Sequence, residues 1–141
     1  MALDVGNVRI GVAVSDPLGI ISQPHSVITV KSPEADAEAV RALVAETDTC
    51  CLVVGLPLNL EGKQGPQAEK VLAFVELLRN SIPIDIVLQD ERYSTAAAQR
   101  ELIDAGVRRK QRKGLIDKAA AQRILQVFLD RRAHEKKSGE A

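Results

Sequence analysis

A short unbroken apolar run, Cys50 to Leu56, says more about the fold than any other segment of the chain. Its residues are aliphatic or small and do not alternate with polar ones, which is typical of a strand covered on both faces. Such strands belong to parallel sheets, and parallel neighbours need long crossover connections that are usually helices. The run therefore predicts an α/β domain with a parallel central strand.

The flanking segments complete this pattern. Leu3 to Val5 and Ile10 to Val14 predict a two-stranded hairpin, and a third strand ends at Ile28 to Val30 after a turn at Asp16 to Gly19. The remaining predicted elements are a helix from Ser32-Pro33, a helix from Pro66, a strand at Ile84 to Gln89, a helix from Ser94 through Ile103, a basic loop, and a last helix over Ile116 to Arg132. This order predicts a mixed five-stranded sheet flanked by helices, with the first strand near its centre. The arrangement is compatible with a ribonuclease H-like fold.

The composition fits an ordinary globular protein. With 141 residues, 45% of them hydrophobic and 27% charged, we expect one domain over residues 1–141 rather than a fibrous or disordered chain. No apolar run approaches the ~20 residues of a membrane span, and no signal sequence opens the chain, so we expect a cytoplasmic protein without a membrane partner. Two adjacent cysteines and two isolated histidines do not favour a zinc site.

The net charge is zero, but acidic and basic side chains are unevenly distributed along the chain. Residues 1–91 carry 6 basic and 13 acidic side chains, whereas residues 92–137 carry 13 basic and 5 acidic ones. The densest basic cluster consists of Arg108, Arg109, Lys110, Arg112 and Lys113. Such a cluster binds polyanions by contacting phosphates and releasing counterions, although a solvated helix end or loop has the same composition. Nucleic acid is therefore one candidate partner.

Acidic residues at separate points of the chain are candidates for a site. Asp4 interrupts the apolar first strand, although aspartate is disfavoured in strands. Asp90 and Glu91 follow the last strand, at the edge where open α/β sheets hold their sites, and Asp117 is on the apolar face of the last helix. Each has a plainer interpretation. Asp4 ends its strand and caps a turn, Asp90 or Glu91 caps a helix or pairs with Arg92, and Asp117 is a first-turn acid favoured by the helix dipole.

Together, these acids suggest metal chemistry. Carboxylates from a central strand, a strand end and a helix can converge, and a site without His or Cys suits hard ions such as Mg²⁺ or Mn²⁺. Two such ions ~4 Å apart can activate water and hold the leaving oxygen of a phosphodiester. A basic surface nearby would bind the polyanionic substrate. The residues alone leave this as one hypothesis among several.

Four blocks of the sequence resemble the signature blocks of the YqgF family, also called RuvX. They run in the family's order and cover nearly the whole chain: Leu3 to Asp16 (LDVGNVRIGVAVSD), Val53 to Gly62 (VVGLPLNLEG), Asp90 to Ala96 (DERYSTA) and Asp117 to Ala121 (DKAAA). Relatives usually carry a few more residues ahead of the first aspartate, so we expect a short first strand. The four blocks together are far more specific than any one of them.

The resemblance implies a ribonuclease H-like nuclease for the immature 5′ end of 16S ribosomal RNA, related by fold to Holliday junction resolvases. It makes Asp4, Glu91 and Asp117 the catalytic, metal-binding residues. Asp4 and Asp117 would bridge or flank the ions, and Glu91 would complete the shell or orient water, with Asp90 as the alternative ligand. Resolvases of the wider fold carry a carboxylate on the fourth strand, where this chain has Gly55, and we infer that Gly55 leaves space there for metal or substrate.

The resemblance also suggests where substrate binds. Arg92, Asn59 and the loop Gly62 to Gly65, which includes Lys63, are expected near the scissile strand, where Arg and backbone N–H groups hold phosphate. The basic cluster at residues 108–113 would add phosphate contacts. The substrate is precursor ribosomal RNA or branched DNA, and the protein is expected to be a monomer or a homodimer.

Three rival functions remain at this point. The same carboxylates would serve a DNA resolvase or exonuclease, and a resolvase that cuts two strands symmetrically needs a two-fold dimer. A second rival is an RNA-binding ribosome-assembly factor whose acids have no catalytic role. A third is a sugar-kinase or actin-like ATPase, but those proteins need two such domains. Only 2% of the residues are aromatic, which argues against single-strand binding by base stacking.

Overall fold

The computed structural model describes residues 1–58, 62–90 and 109–139, and in the last range it describes the side chains of residues 118–135. The elements follow in the order β1 (Ala2–Val5), β2 (Arg9–Ser15), β3 (Ser22–Thr29), α1 (Pro33–Glu46), β4 (Cys51–Leu56), α2 (Pro66–Ser81), β5 (Asp85–Asp90) and α3 (Arg109–Gly139). The predicted helix from Ser94 through Ile103 lies outside the described residues. Of the helices described, none combines the length and the apolar character needed to cross a membrane.

The described strands form one mixed sheet in the order β3-β2-β1-β4-β5. The pairs β1–β2 and β2–β3 are antiparallel, whereas β4 runs parallel to both β1 and β5. The prediction of a parallel inner strand at Cys50 to Leu56 is therefore confirmed, although the strand begins one residue later, at Cys51. The mixed five-stranded sheet and the central place of the first strand are confirmed as well. Helix α2 provides the crossover between the parallel strands β4 and β5.

One face of the sheet is covered by α1 and α2 through large aliphatic side chains. As predicted, Ser32 caps α1, since its Oγ accepts a hydrogen bond from the Ala35 N–H at 3.2 Å, and Pro33 opens the first turn. The core on this face includes Val40 and Val44 of α1, Val71, Phe74, Val75 and Leu78 of α2, and Leu3, Ile10, Val12, Leu52 and Val54 of the sheet. Among the residues that the structure describes, this layer contains the larger of the two buried apolar clusters.

The other face is covered by α3, and the buried residues there are smaller. Ala2, Ala13 and Val53 of the sheet pack against Ala121, Ile124, Leu125 and Leu129 of the helix. Helix α3 contacts β1, β2, β3 and β4. Because alanines line both sides of this contact, the helix can approach the sheet closely.

Helix α3 is longer than the sequence pattern suggests. We predicted a basic loop followed by a helix from Ile116, but the helix begins at Arg109. The basic residues 109–113 are therefore part of the helix, and the loop prediction is wrong there. Gly114 costs about 1 kcal/mol in a helix interior, but Arg, Lys, Gln and Leu around it are good helix formers. Their combined propensity outweighs one glycine.

Strand β3 depends on contacts with residues far away in sequence. It starts at Ser22, in a polar segment whose composition gives no strand signal, and ends at Thr29. The Ser22 N–H donates to Gln126 Oε1 at 2.9 Å, and Gln122 Nε2 donates to the Ser22 carbonyl at 3.1 Å. Two glutamines of α3 thus fix the start of this strand. Pro24 is tolerated because β3 is an edge strand of the described sheet.

Candidate active site

Asp4 lies inside a strand at the centre of the sheet. Strand β1 continues through Val5, and Asp4 is paired in register with Gly11 of β2. The plainer interpretation, in which the strand ends at Leu3 and Asp4 caps a turn, is therefore wrong. Aspartate is unfavourable in a strand, so this position depends on pairing and packing by its neighbours. Its side chain is half-buried.

Because side chains alternate between the two faces of the sheet along β1, Asp4 lies on the face that α3 covers. Ala2, two residues earlier, belongs to the small-residue core under that helix. The register with β4 pairs Leu3 with Val54, so the next position along β4 is Gly55. Asp4 therefore has a glycine beside it on each neighbouring strand, and neither glycine has a side chain to fill the space next to the carboxylate. The inference that Gly55 leaves space there for metal or substrate stays a prediction.

Strand β5 lies two strands away from Asp4, at a distance of about 10 Å for two strand spacings. Gly55 pairs with Gln89, which is 7% exposed and donates from Nε2 to the Ile124 carbonyl of α3 at 2.8 Å. Asp90 is the last residue of the strand and pairs with Leu56. Alternation assigns it to the face opposite Gln89, which argues against Asp90 as a substitute for Glu91.

Gln89 is the residue that our sequence analysis missed. The signal was present, because an amide side chain ends the apolar run from Ile86 to Leu88, and buried polar side chains need hydrogen-bond partners. Its partner, however, is a backbone carbonyl 35 positions away. No local pattern reveals a contact of that kind.

The remaining predicted site residues are described only in part. Glu91, Arg92, Asn59 and Arg108 lie outside the described residues. Asp117 and the basic positions Arg109, Lys110, Arg112 and Lys113 are described as helical backbone within α3. Lys63 is exposed in the loop that follows β4, near an isolated bridge between Leu58 and Gln64. Within the side chains that the structure describes, no three His, Cys, Asp or Glu residues form a metal-binding group.

A separate cavity of about 810 Å³ opens at the amino-terminal end of β1 and β4. It is lined by the loop after β2 and by residues such as Thr49, Cys51, Phe128 and Arg132. Burial raises the pKa of the Cys51 thiol, which keeps it protonated and a poor nucleophile at neutral pH. Of the predicted site residues whose side chains the structure describes, neither Asp4 nor Lys63 lines this cavity, and Asp4 lies at the carboxyl end of β1.

Comparison with known proteins gives relatives along almost the whole chain. A family model described as RuvX, Holliday junction resolvase, matches residues 1–131. A protein of Halothermothrix orenii named "Putative pre-16S rRNA nuclease" is 46% identical over 130 residues, which are 92% of this chain and 93% of the relative. A protein of the same name from Clostridium kluyveri is 43% identical over 131 residues, covering 93% and 96% of the two chains.

Among solved structures, the fowlpox virus resolvase in complex with its substrate Holliday junction DNA has a TM-score of 0.54 at 10% identity. The match covers 91% of this chain and 94% of that one. At this identity the likeness concerns the fold, which is ribonuclease H-like as predicted. Because the family model and these relatives span the four sequence blocks, this chain belongs to the RuvX family.

Proposed function

We propose that this chain is a divalent-metal-dependent nuclease that hydrolyses phosphodiester bonds during 5′-end maturation of the 16S ribosomal RNA precursor. The observation that carries the proposal is the placement of Asp4. A carboxylate in the central strand, on the face that α3 covers and with a glycine beside it on each neighbouring strand, is costly for folding, which favours a functional role. The nuclease names of the curated relatives support the same activity.

Asp4, Glu91 and Asp117 are the proposed metal-holding catalytic residues. Asp117 precedes Ala121 by four residues and Ile124 by seven, which is the spacing of one helical stripe, and that stripe packs on the sheet face of Asp4. An all-carboxylate donor set fits Mg²⁺ or Mn²⁺. When bound, such ions neutralise phosphate charge and lower the pKa of water. Asp4 and Asp117 would flank the ions, while Glu91 would complete the shell or orient the attacking water.

Substrate contacts are proposed along α3 and the neighbouring loops. Positions 109–113 precede Asp117 on the same helix by four to eight residues, or about 6–12 Å along the axis. A phosphate backbone held by Arg109, Lys110, Arg112 and Lys113 would therefore pass close to the carboxylates. Arg92, Asn59, Arg108 and the exposed Lys63 are proposed to hold the same strand. The site of action would be the cytoplasm, where precursor ribosomal RNA is processed.

The test is a cleavage assay on two substrates. Purified protein and an Asp4→Asn/Asp117→Asn double variant are incubated with a labelled precursor ribosomal RNA fragment and with a four-way DNA junction, in Mn²⁺ or in EDTA. Asp48→Asn/Asp85→Asn is the matched control, because it removes two exposed carboxylates at the other end of the sheet. We expect Mn²⁺-dependent cutting of the RNA by the wild type and the control, and none by the double variant.

The other outcomes identify the rivals. Symmetric cutting of the junction alone would favour a DNA resolvase, a function that the fold of the fowlpox virus enzyme makes the second candidate. Such an enzyme would have to act as a dimer, which sedimentation in the presence of junction DNA would reveal. If neither substrate is cut, and the wild type and the double variant bind RNA equally, the carboxylates have no catalytic role. That result would favour an RNA-binding ribosome-assembly factor.

A further inference from the structure

Gln89 is an unusual residue for its position in the core. It lies in β5 with 7% of its surface exposed, although glutamine side chains are mostly exposed in proteins. Its Nε2 donates to the carbonyl of Ile124, itself 2% exposed, at 2.8 Å. The bond joins a strand and a helix that are 35 residues apart in sequence. A buried polar side chain with one such partner needs a physical explanation.

The backbone carbonyl of Ile124 would have a hydrogen-bond partner without Gln89. The Ile124 carbonyl is inside α3, where it also accepts the helical N–H four residues later, and a carbonyl has two lone pairs. An apolar side chain of the same size at position 89 would leave this carbonyl with its helical partner. What glutamine adds is therefore a directional link that fixes the place of α3 on β5.

The link joins α3, which contains Asp117, to the sheet, which contains Asp4. Gln89 precedes Glu91 by two residues, and Ile124 follows Asp117 by seven residues, which is about 10 Å or two helical turns. On the opposite flank, α3 is held to β3 by Gln122 and Gln126 through the backbone of Ser22 and Ile20. Those bonds hold the same helix far from β5.

We propose that Gln89 is a positioning residue that fixes α3, the helix that contains Asp117, relative to Asp4 on the sheet, and thereby sets the affinity of the site for divalent cations. The proposal rests on the proposed function. It assigns Gln89 no contact with metal or substrate, since the side chain acts through the helix. Groups that orient metal ligands from outside the coordination shell typically change metal affinity by 10-fold or more when they are replaced.

The experiment measures Mn²⁺ binding by calorimetry on the full chain, together with the Mn²⁺ concentration that gives half-maximal RNA cleavage. Gln89→Met keeps the side-chain volume and removes the donor, and Gln122→Met is the matched control because it removes one hydrogen bond of the same helix at the opposite flank. We expect Gln89→Met to weaken Mn²⁺ binding by about 10-fold, with cleavage recovering at high Mn²⁺. The control should bind Mn²⁺ as the wild type does.

The result that overturns the proposal is Mn²⁺ binding by Gln89→Met equal to that of the wild type, or weakened equally in Gln122→Met. If Gln89→Met does not fold, Gln89→Leu takes its place. Failure of both to fold would show that the link serves the fold rather than the site, and would also overturn the proposal. The Asp4→Asn/Asp117→Asn variant distinguishes a failure of the metal site from a failure of the role of Gln89. Unchanged Mn²⁺ binding in that variant would refute the proposed metal site itself.

Discussion

Replacing Gly6 with alanine is expected to destabilise the turn that follows Asp4. In this turn the Gly6 N–H donates to the Arg9 carbonyl at 2.9 Å, and it joins β1 to β2. A Cβ on residue 6 would lie 2.7 Å from the same Arg9 oxygen. An ordinary carbon–oxygen contact is about 3.3 Å, so the turn would have to open by roughly 0.6 Å. Because the clashing atom belongs to the backbone, no side-chain rotation can relieve it.

The expected cost follows from two opposing effects. Overpacking of this kind typically destabilises by about 1–3 kcal/mol, whereas replacing glycine with alanine gains about 0.4–1 kcal/mol by restricting the unfolded chain. The free energy of unfolding should therefore fall by roughly 1–2 kcal/mol. For a chain of this length, that corresponds to a decrease in Tm of about 3–8 °C.

Urea unfolding followed by circular dichroism measures this change, and Gly65→Ala is the control. Gly65 precedes α2, its φ is −106°, and a Cβ there would meet no atom within 4 Å. Alanine is a poorer helix cap than glycine, which destabilises the variant, but it also restricts the unfolded chain, which stabilises it. The free energy of unfolding should therefore change by no more than roughly 0.5 kcal/mol. Equal unfolding midpoints for the two alanine variants would refute the reasoning, because only the Gly6 variant has a steric conflict.

Three further changes test other parts of the structure. Ser32→Ala removes the cap of α1 and should lower the free energy of unfolding by about 1 kcal/mol in urea titrations, whereas Ser32→Asp should retain it. The backbone N–H groups of Ile21 and Ile20 hold the pKa of Asp16 below its usual value of 3.8. The charged carboxylate therefore stabilises the fold above pH 3.8, and this stability is lost as the pH falls through the lowered pKa of the folded state. The wild type's advantage over Asp16→Asn in melting experiments should shrink in acid, and an advantage that is independent of pH would contradict this. Ala121→Leu should push α3 away from the sheet, cost about 1–3 kcal/mol and weaken Mn²⁺ binding, while Ala37→Leu on the opposite face should cost stability alone. Mn²⁺ titration of the two folded variants distinguishes them.

Local sequence signals were sufficient for most of the described fold. The unalternated run at Cys51–Leu56 indicated a strand covered on both faces, and the structure places it between β1 and β5. Ser32 and Pro33 indicated where α1 begins, because capping depends on only a few adjacent residues. The place of β1 at the sheet centre followed from the hairpin and crossover order. These predictions succeeded because each depends on interactions that are short in sequence or on a small choice of topologies.

Features that depend on distant contacts could not be predicted in the same way. The start of β3 at Ser22 is fixed by two glutamines about 100 residues later. The buried role of Gln89 depends on the register of β5 and on where α3 lies. Sequence proximity contains no information about any of these pairings.

The two faces of the sheet differ in a way that explains how a polar site can exist in so small a protein. The face under α1 and α2 is filled by large side chains such as Leu3, Leu52 and Leu78, each fully buried, and it can supply the apolar burial that folding requires. The other face has Ala2, Ala13 and two glycines around Asp4, which bury far less apolar surface. Small residues there allow α3 to lie close to the sheet, so that a carboxylate on the helix can come near one on the central strand. The larger apolar core and Asp4 thus lie on opposite faces, and the proposed site depends on the place of α3 on the sheet.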